Sequence, residues 1–245
     1  MTRDAVSDVQ LTVDPPLSQW QPGRNPPADG DALVAALRAG KFPGTLPGQF
    51  PGVVATGHQA ALWHPGILVK YLATSAVAEK HGHVALNVVV DHDVNEALTL
   101  ELPQVKGEVL STRTVTLAPH EVNVPTGCQA AVDAKHVVQV LHEAQRDTTA
   151  DLSVLIDAWS QVGDADTLAM QLVRVLDALM SPYIAALPTI EGSKLLSLPG
   201  AGALVEAMLH DAARCVACYN DAVTDHRDAG VAPLLVERDR VELPL

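Results

Sequence analysis

Two apolar runs separated by a helix-length segment constrain this chain more than anything else in it. The first is Val53-Val54-Ala55-Thr56-Gly57-His58-Gln59. The second, Val84-Ala85-Leu86-Asn87-Val88-Val89-Val90, is a nearly continuous β-branched stretch. Such a run suits a strand covered on both faces, as parallel sheets require. Between the two, Ile67, Leu68, Tyr71, Leu72, Ser75 and Ala78 recur with helical spacing, which predicts a helix from about Gly66 to Lys80. A strand–helix–strand unit with parallel strands places both strand ends on one edge, where open α/β sheets bind their ligands. The expected fold class is α/β: a Rossmann-like parallel sheet with a largely helical second half.

Composition narrows the function classes. The 245 residues are 48% hydrophobic, enough for a substantial core, but only 3% aromatic, so that core must rest on Ala, Val and Leu. Sixteen basic residues face 29 acidic ones, a formal charge of −13, which repels phosphate backbones and anionic lipid. Neither nucleic acid nor a membrane is expected as a partner. No apolar run is long enough to span a bilayer, and Met1-Thr2-Arg3-Asp4 does not read as the start of a signal peptide. Three cysteines form no disulfide framework and fit a reducing cytoplasm, the expected location. Cys215 and Cys218 make a C-x-x-C inside the helical pattern of Leu204 to Val223, where two small helix-face residues are the simpler reading.

The remaining chain is read as follows. Residues 1–28 are Pro-rich and irregular, with Val9 to Val13 a short edge strand. Asp29 or Asp31 caps a helix through Ala39 that Gly40 closes. Residues 41–52 form a loop, with Pro43, Pro47 and Pro51 each followed by glycine. Glu108 to Leu117 reads as a strand, and helices follow over Asp133 to Arg146, Asp151 to Gln161 and Asp164 to Met180. Tyr183 to Leu187 reads as a short strand, Ala201 to Asp228 as one long helix, and Leu234 to Glu237 and Val241 to Leu245 as two strands. The expected organisation is a Rossmann-like α/β core carrying the site over 1–132, then a helical region over 133–245 that returns to the core through short strands. The apolar close Leu243-Pro244-Leu245 suggests the front part of a longer protein.

Chemistry concentrates at the two strand ends. Gly57 allows a sharp turn and close ligand approach, and the helix behind it offers free N–H groups that attract an anion. Thr56, Gly57, Gln59 and His64 are the substrate-binding candidates there, and His58 is a catalytic candidate. After the second strand, Asp91-His92-Asp93-Val94-Asn95-Glu96 holds three carboxylates and an imidazole in six residues. His92 and Asp93 are catalytic candidates, while Asp91 and Glu96 suit binding of an amine. No thiol–imidazole set has ligand spacing, so no metal is assigned. His81 and His83 flank Gly82 at a helix end, and His120, His136, His142, His210 and His226 have no motif around them. No nucleophile elbow, P-loop or G-x-G-x-x-G occurs.

At these residues the chain resembles the bacillithiol synthase family, cysteine-adding ligases of bacillithiol biosynthesis. That family's pattern is a Thr-Gly-Gln-Gln turn, a helix, and a strand leading into Asp-His-Asp-x-x-Glu. Thr56-Gly57-His58-Gln59 matches with His58 in place of the first glutamine, and Asp91 to Glu96 matches throughout. Trp63-His64-Pro65-Gly66 departs from the small-residue continuation of the family. The resemblance spans about Val53 to Glu96 and implies a longer protein with a Rossmann-like core, helical insertions and a coiled coil. It also implies attachment of cysteine to an amino sugar conjugated with malate, the Gly57 loop holding an anionic part and the Asp91–Glu96 cluster the amine. The partners expected are therefore a small anionic or amine-bearing substrate, with a homodimer and a nucleotide cofactor left open. Two alternatives stand beside it: a class I nucleotidylyltransferase-like enzyme using His58 and His64, and a non-catalytic small-molecule-binding module.

Overall fold

The computed structural model describes residues 52–61, 65–94, 96–119, 121, 123–163, 165–197, 199–226 and 232–235. The readings made for residues 1–51 and for Val241 to Leu245 lie outside them. The strand–helix–strand unit is present as β1 (Val53–Gln59), α1 (Pro65–His81) and β2 (Val84–Val90). β1 and β2 pair in parallel along their whole length, from Val53 opposite Val84 to Gln59 opposite Val90. α1 stops where Gly82 adopts a φ of 65°, which a side chain would strain. Gly82 N–H donates to the Glu79 carbonyl at 3.2 Å and His83 N–H to that of Ala78 at 2.8 Å, the paired bonds of a Schellman close.

The third strand, β5 (Thr189–Glu191), arrives about a hundred residues later and pairs in parallel with β2, Asn87 opposite Thr189. The order is β1-β2-β5. The fold is thus α/β with a small three-stranded parallel sheet and, among the described residues, seven α-helices. α1 covers the sheet face that carries Asn87. There the Tyr71 hydroxyl donates to Asn87 Oδ1 at 2.8 Å, Asn87 Nδ2 donates to Thr189 Oγ1 at 3.2 Å, and that hydroxyl donates to the Leu187 carbonyl at 3.0 Å. Burial, with Asp177 nearby, pushes the Tyr71 phenol well above its ordinary range, so it remains a donor. Tyr71→Phe leaves Asn87 Oδ1 buried without that donor and is expected to cost about 1–3 kcal/mol. Urea denaturation checks this, and unchanged stability would show the bond to be dispensable. On the opposite face Val53, Leu86 and Val88 pack with Ile190 and with Leu195 of α5 (Gly192–Leu196).

Between β2 and β5 lie a hairpin and three helices. β3 (Thr99–Lys106) and β4 (Val109–Thr116) pair antiparallel, turning at Gly107 with φ 62°. β4 matches the strand expected over Glu108 to Leu117. A 3-10 turn (Thr126–Cys128) then precedes α2 (Ala134–Gln145), α3 (Ser153–Gln161) and α4 (Leu168–Met180). Asp133 and Thr167 cap α2 and α4 by accepting from Lys135 N–H and Met170 N–H. One apolar cluster joins these helices to the hairpin and to β2: Trp159, Leu141, Leu172 and Val175 with Leu98, Leu117 and Val89.

Several boundaries differ from expectation. α4 begins at Leu168 rather than Asp164, because the Thr167 hydroxyl supplies the cap. Residues 181–184 form a turn, not a strand: Tyr183 and Ile184 N–H both donate to the Met180 carbonyl, at 2.8 and 3.1 Å. The strand expected over Tyr183 to Leu187 lies instead at Thr189–Glu191. The long helix over Ala201 to Asp228 is two, α6 (Pro199–His210) and α7 (Ala212–Asp225), because Asp211 caps a new start by accepting from Arg214 N–H at 3.2 Å. Of the strand expected over Leu234 to Glu237, the described Leu234 and Leu235 are irregular, and the Asn220 side chain clamps Leu234 by its N–H and carbonyl. Among the described residues no helix is long and apolar enough to cross a membrane.

Candidate active site at the carboxyl edge of the sheet

All three parallel strands end on the same edge, so their last residues and the loops behind them converge. Gln59 closes β1, and its Nε2 donates to Asp93 Oδ2 across the gap. Asp93 Oδ1 accepts from Val94 N–H at 2.8 Å, which fixes the carboxylate's other oxygen. Asp91 is buried, 3% exposed, and its carboxylate is held by α5: Ser193 N–H donates to Oδ1 at 2.8 Å and Ser193 Oγ–H to Oδ2 at 2.5 Å. Buried as well as held at both oxygens, Asp91 is a brace more than a free ligand, whereas Asp93 is only half-buried.

The 3-10 turn presses in from the other side. Gly127 N–H donates to the Asp91 carbonyl at 2.8 Å and Thr126 N–H to that of Asp93 at 3.3 Å. Gln129 holds this loop in shape, its Nε2 donating to the Val124 carbonyl at 2.7 Å and its Oε1 accepting from Glu121 N–H at 3.2 Å. The Gln129 carbonyl in turn accepts from Leu168 N–H at 2.9 Å, tying the loop to the start of α4.

His92 stands between these walls with its side chain 30% exposed and Nδ1 3.6 Å from Asp91 Oδ1. That separation is an ion-pair contact for the protonated ring and too long for a hydrogen bond. Nδ1 itself has no hydrogen-bond partner among the described residues. The ring fits only because residue 192 lacks a side chain: a Cβ there would lie 2.8 Å from His92 Cε1. A Cβ on Gly127 would lie 2.5 Å from Asp91 Oδ2. Gly192→Ala and Gly127→Ala are each expected to cost about 1–3 kcal/mol through overpacking, and to displace the His92 ring resonances. Thermal melts and imidazole NMR signals check both; unchanged spectra would mean the pocket yields without strain.

The other candidate residues are placed less uniformly. Gly57 lies inside β1 and not in a turn, which corrects the expected sharp turn. It is needed because a Cβ would meet the Val88 carbonyl at 2.8 Å, so it lets β1 approach β2 closely. Thr56 is half-buried opposite Asn87. His58 is half-buried, with Nδ1 3.4 Å from the Gln59 carbonyl. Strand alternation puts it on the sheet face away from Gln59, shared with Val89 and Glu191 through the register. Glu96 is exposed, and among the described residues only its backbone carbonyl is used, accepting from Thr99 N–H at 3.0 Å. His64 lies outside the described residues. The edge therefore joins Gln59, Asp91, His92 and Asp93, and leaves Glu96 outside the contacts. Among the described residues the segment after Asp93 leads into β3 and no helix starts there.

Sequence reasoning missed Gly127, Glu191, Gly192, Ser193 and Lys194. Glu191 is buried at the end of β5 and ion-paired with Lys194. Beside it a cleft of about 860 Å³ reaches Asp91 and runs along α4 to Asp177. Burial pushes the Asp177 carboxyl up to about 6. The cleft's basic side chains, Arg174 and Lys194, face Asp91, Asp166, Asp177 and Glu191, a balance that suits an amine or small zwitterion better than a polyphosphate. Among the described residues no group of three or more His, Cys, Asp or Glu is arranged to hold a metal. Cys128, Cys215 and Cys218 are free thiols, the latter two on α7. No protein-family model matches the chain, and no curated protein matches its sequence.

Proposed function

We propose that this chain is a bacillithiol synthase-like ligase or a diverged relative, which adds cysteine to an amino sugar conjugated with malate. The observation that carries the reading is the Gln59–Asp93 contact. It joins the ends of the two motifs on which the family resemblance rests, across the edge where α/β sheets bind ligands. In this reading the substrate amine is acylated by an activated cysteine carboxyl. The new C–N bond displaces the carboxyl's leaving group, and the amine nitrogen loses a proton. His92 takes that proton as general base. Its Nδ1 is buried beside Asp91, 3.6 Å from Oδ1, so Nε2 is the ring nitrogen left to take the proton. Asp93, oriented by Gln59, holds the amine, and Asp91 sets the ring's position through its brace to Ser193. Three free cysteines accord with a reducing cytoplasm as the place of action.

A nucleotidylyltransferase reading fares less well, because the cleft is acid-rich and His58 faces away from the Gln59–Asp93 contact. The deciding experiment incubates the full chain with cysteine and the amino-sugar malate, with and without ATP, and follows products by mass spectrometry. The expected result is a cysteinyl adduct of the amine. Absence of the adduct under both conditions, with the substrate shown to bind, would leave a binding module and end the ligase reading.

A further inference from the structure

The cleft beside β5 carries chemistry that the ligase reading does not use. One wall is apolar, built from Met170, Val173 and Leu187. Its charged groups are four acids and two bases. Three of the six are engaged: Asp91 by Ser193, and Glu191 with Lys194. Asp177 differs. It is half-buried on α4, and among the described residues no donor or cation contacts its carboxylate. From α1, Tyr71 faces it electrostatically, and a neutral phenol brings no compensating charge. A desolvated carboxylate with no partner is held at a cost that an incoming cation would offset.

We propose that this cleft is a binding site for a primary ammonium group carried on a compact, partly apolar body, with Asp177 as the anchor. The carbon body packs on Met170, Val173 and Leu187 while the ammonium reaches Asp177. Anions are disfavoured by the four-to-two excess of acids. The inference goes beyond the ligase reading: it concerns binding alone, and it stands or falls whether or not ligation is found.

The test titrates the full chain, methyl-labelled at Met, Leu and Val, with cyclohexylammonium, cyclohexanol and cyclohexanecarboxylate in turn. Saturable shifts at Met170, Val173 and Leu187 are expected with the ammonium compound and not with the other two. Asp177→Asn should weaken that binding by at least about tenfold, the scale of a charge-assisted contact. Burial holds the Asp177 carboxyl up at about 6. Below that pH it is a neutral acid, while an alkylammonium keeps its charge. Affinity should therefore fall as pH drops from about 7.5 to about 5, through loss of the Asp177 charge. Asp91, Asp166, Arg174, Glu191 and Lys194 also face the cleft and buried Tyr71 interacts with Asp177, so the loss is assigned by its absence in the Asp177→Asn variant. Equal shifts from cyclohexanol, or unchanged affinity in D177N, overturn the proposal. The pH comparison needs no variant: should D177N misfold, affinity equal at both pH values in the unaltered chain overturns it as well.

Discussion

His92→Ala and Asp93→Ala are each expected to lower cysteine ligation by at least about a hundredfold, the lower end of what a general base contributes, while leaving the fold intact. The His92 ring is part-exposed, and among the described residues its Nδ1 makes no hydrogen bond that the fold would miss. Asp93 bonds Gln59 and its own neighbour's N–H, contacts at the sheet edge and not in the core. The two variants should fail differently. On the proposed reading, loss of His92 should lower kcat and leave substrate binding nearly unchanged, whereas loss of Asp93, the amine's proposed holder, should also raise KM. Unaltered turnover in both variants, with circular dichroism unchanged, would remove this edge from the chemistry.

The largest effect on stability is expected from Trp159→Ala. Trp159 is fully buried on α3, in the cluster that joins α2, α3 and α4 to the hairpin and to β2. Truncating a large aromatic side chain in a packed core costs about 3–5 kcal/mol. That is a large share of the ~5–15 kcal/mol by which domains of ordinary size are stable. Among the described residues its cluster holds no other aromatic ring to fill the space. Urea unfolding measures the loss; a change below about 1 kcal/mol would mean that the helices close over the gap. Trp159→Phe should cost less, since among the described residues Trp159 Nε1 has no partner to lose.

What could be read from the sequence depended on how local the signal was. β1, α1 and β2 were legible because a continuous β-branched run and a clear helical period leave few other options, and Gly82 ends the helix by its own backbone freedom. The cap at Asp133 obeys a rule that acts within three residues. β3 was not legible, because Pro103 sits in its middle and proline cannot donate to a ladder. It is tolerated in a two-stranded hairpin, where every strand is an edge. β5 is three residues long, too short for any period to show. The break between α6 and α7 hides inside a pattern that keeps helical spacing through Asp211. At the site, the Gln59 and Asp93 ends were visible as polar clusters closing apolar runs. The Ser193 contacts to Asp91 span 102 residues, and nothing local announces them. Gly127 and Gly192 are glycines because of what lies against them, which only the folded chain reveals.

The late arrival of β5 has a consequence for how the molecule comes into being. During synthesis, β1, α1 and β2 emerge and can pair while the strand that completes their sheet is still untranslated. Closing so long an intervening loop is slow, and the delay is entropic in origin. Until Ser193 leaves the ribosome, Asp91 is an unbraced carboxylate beside an apolar strand, and the nascent half-sheet presents an open edge. A chain halted before residue 189 should therefore hold its first crossover yet carry a loosened Asp91 loop. Assembly of the candidate site's edge is in that sense a timed event, gated by the arrival of β5 and Ser193.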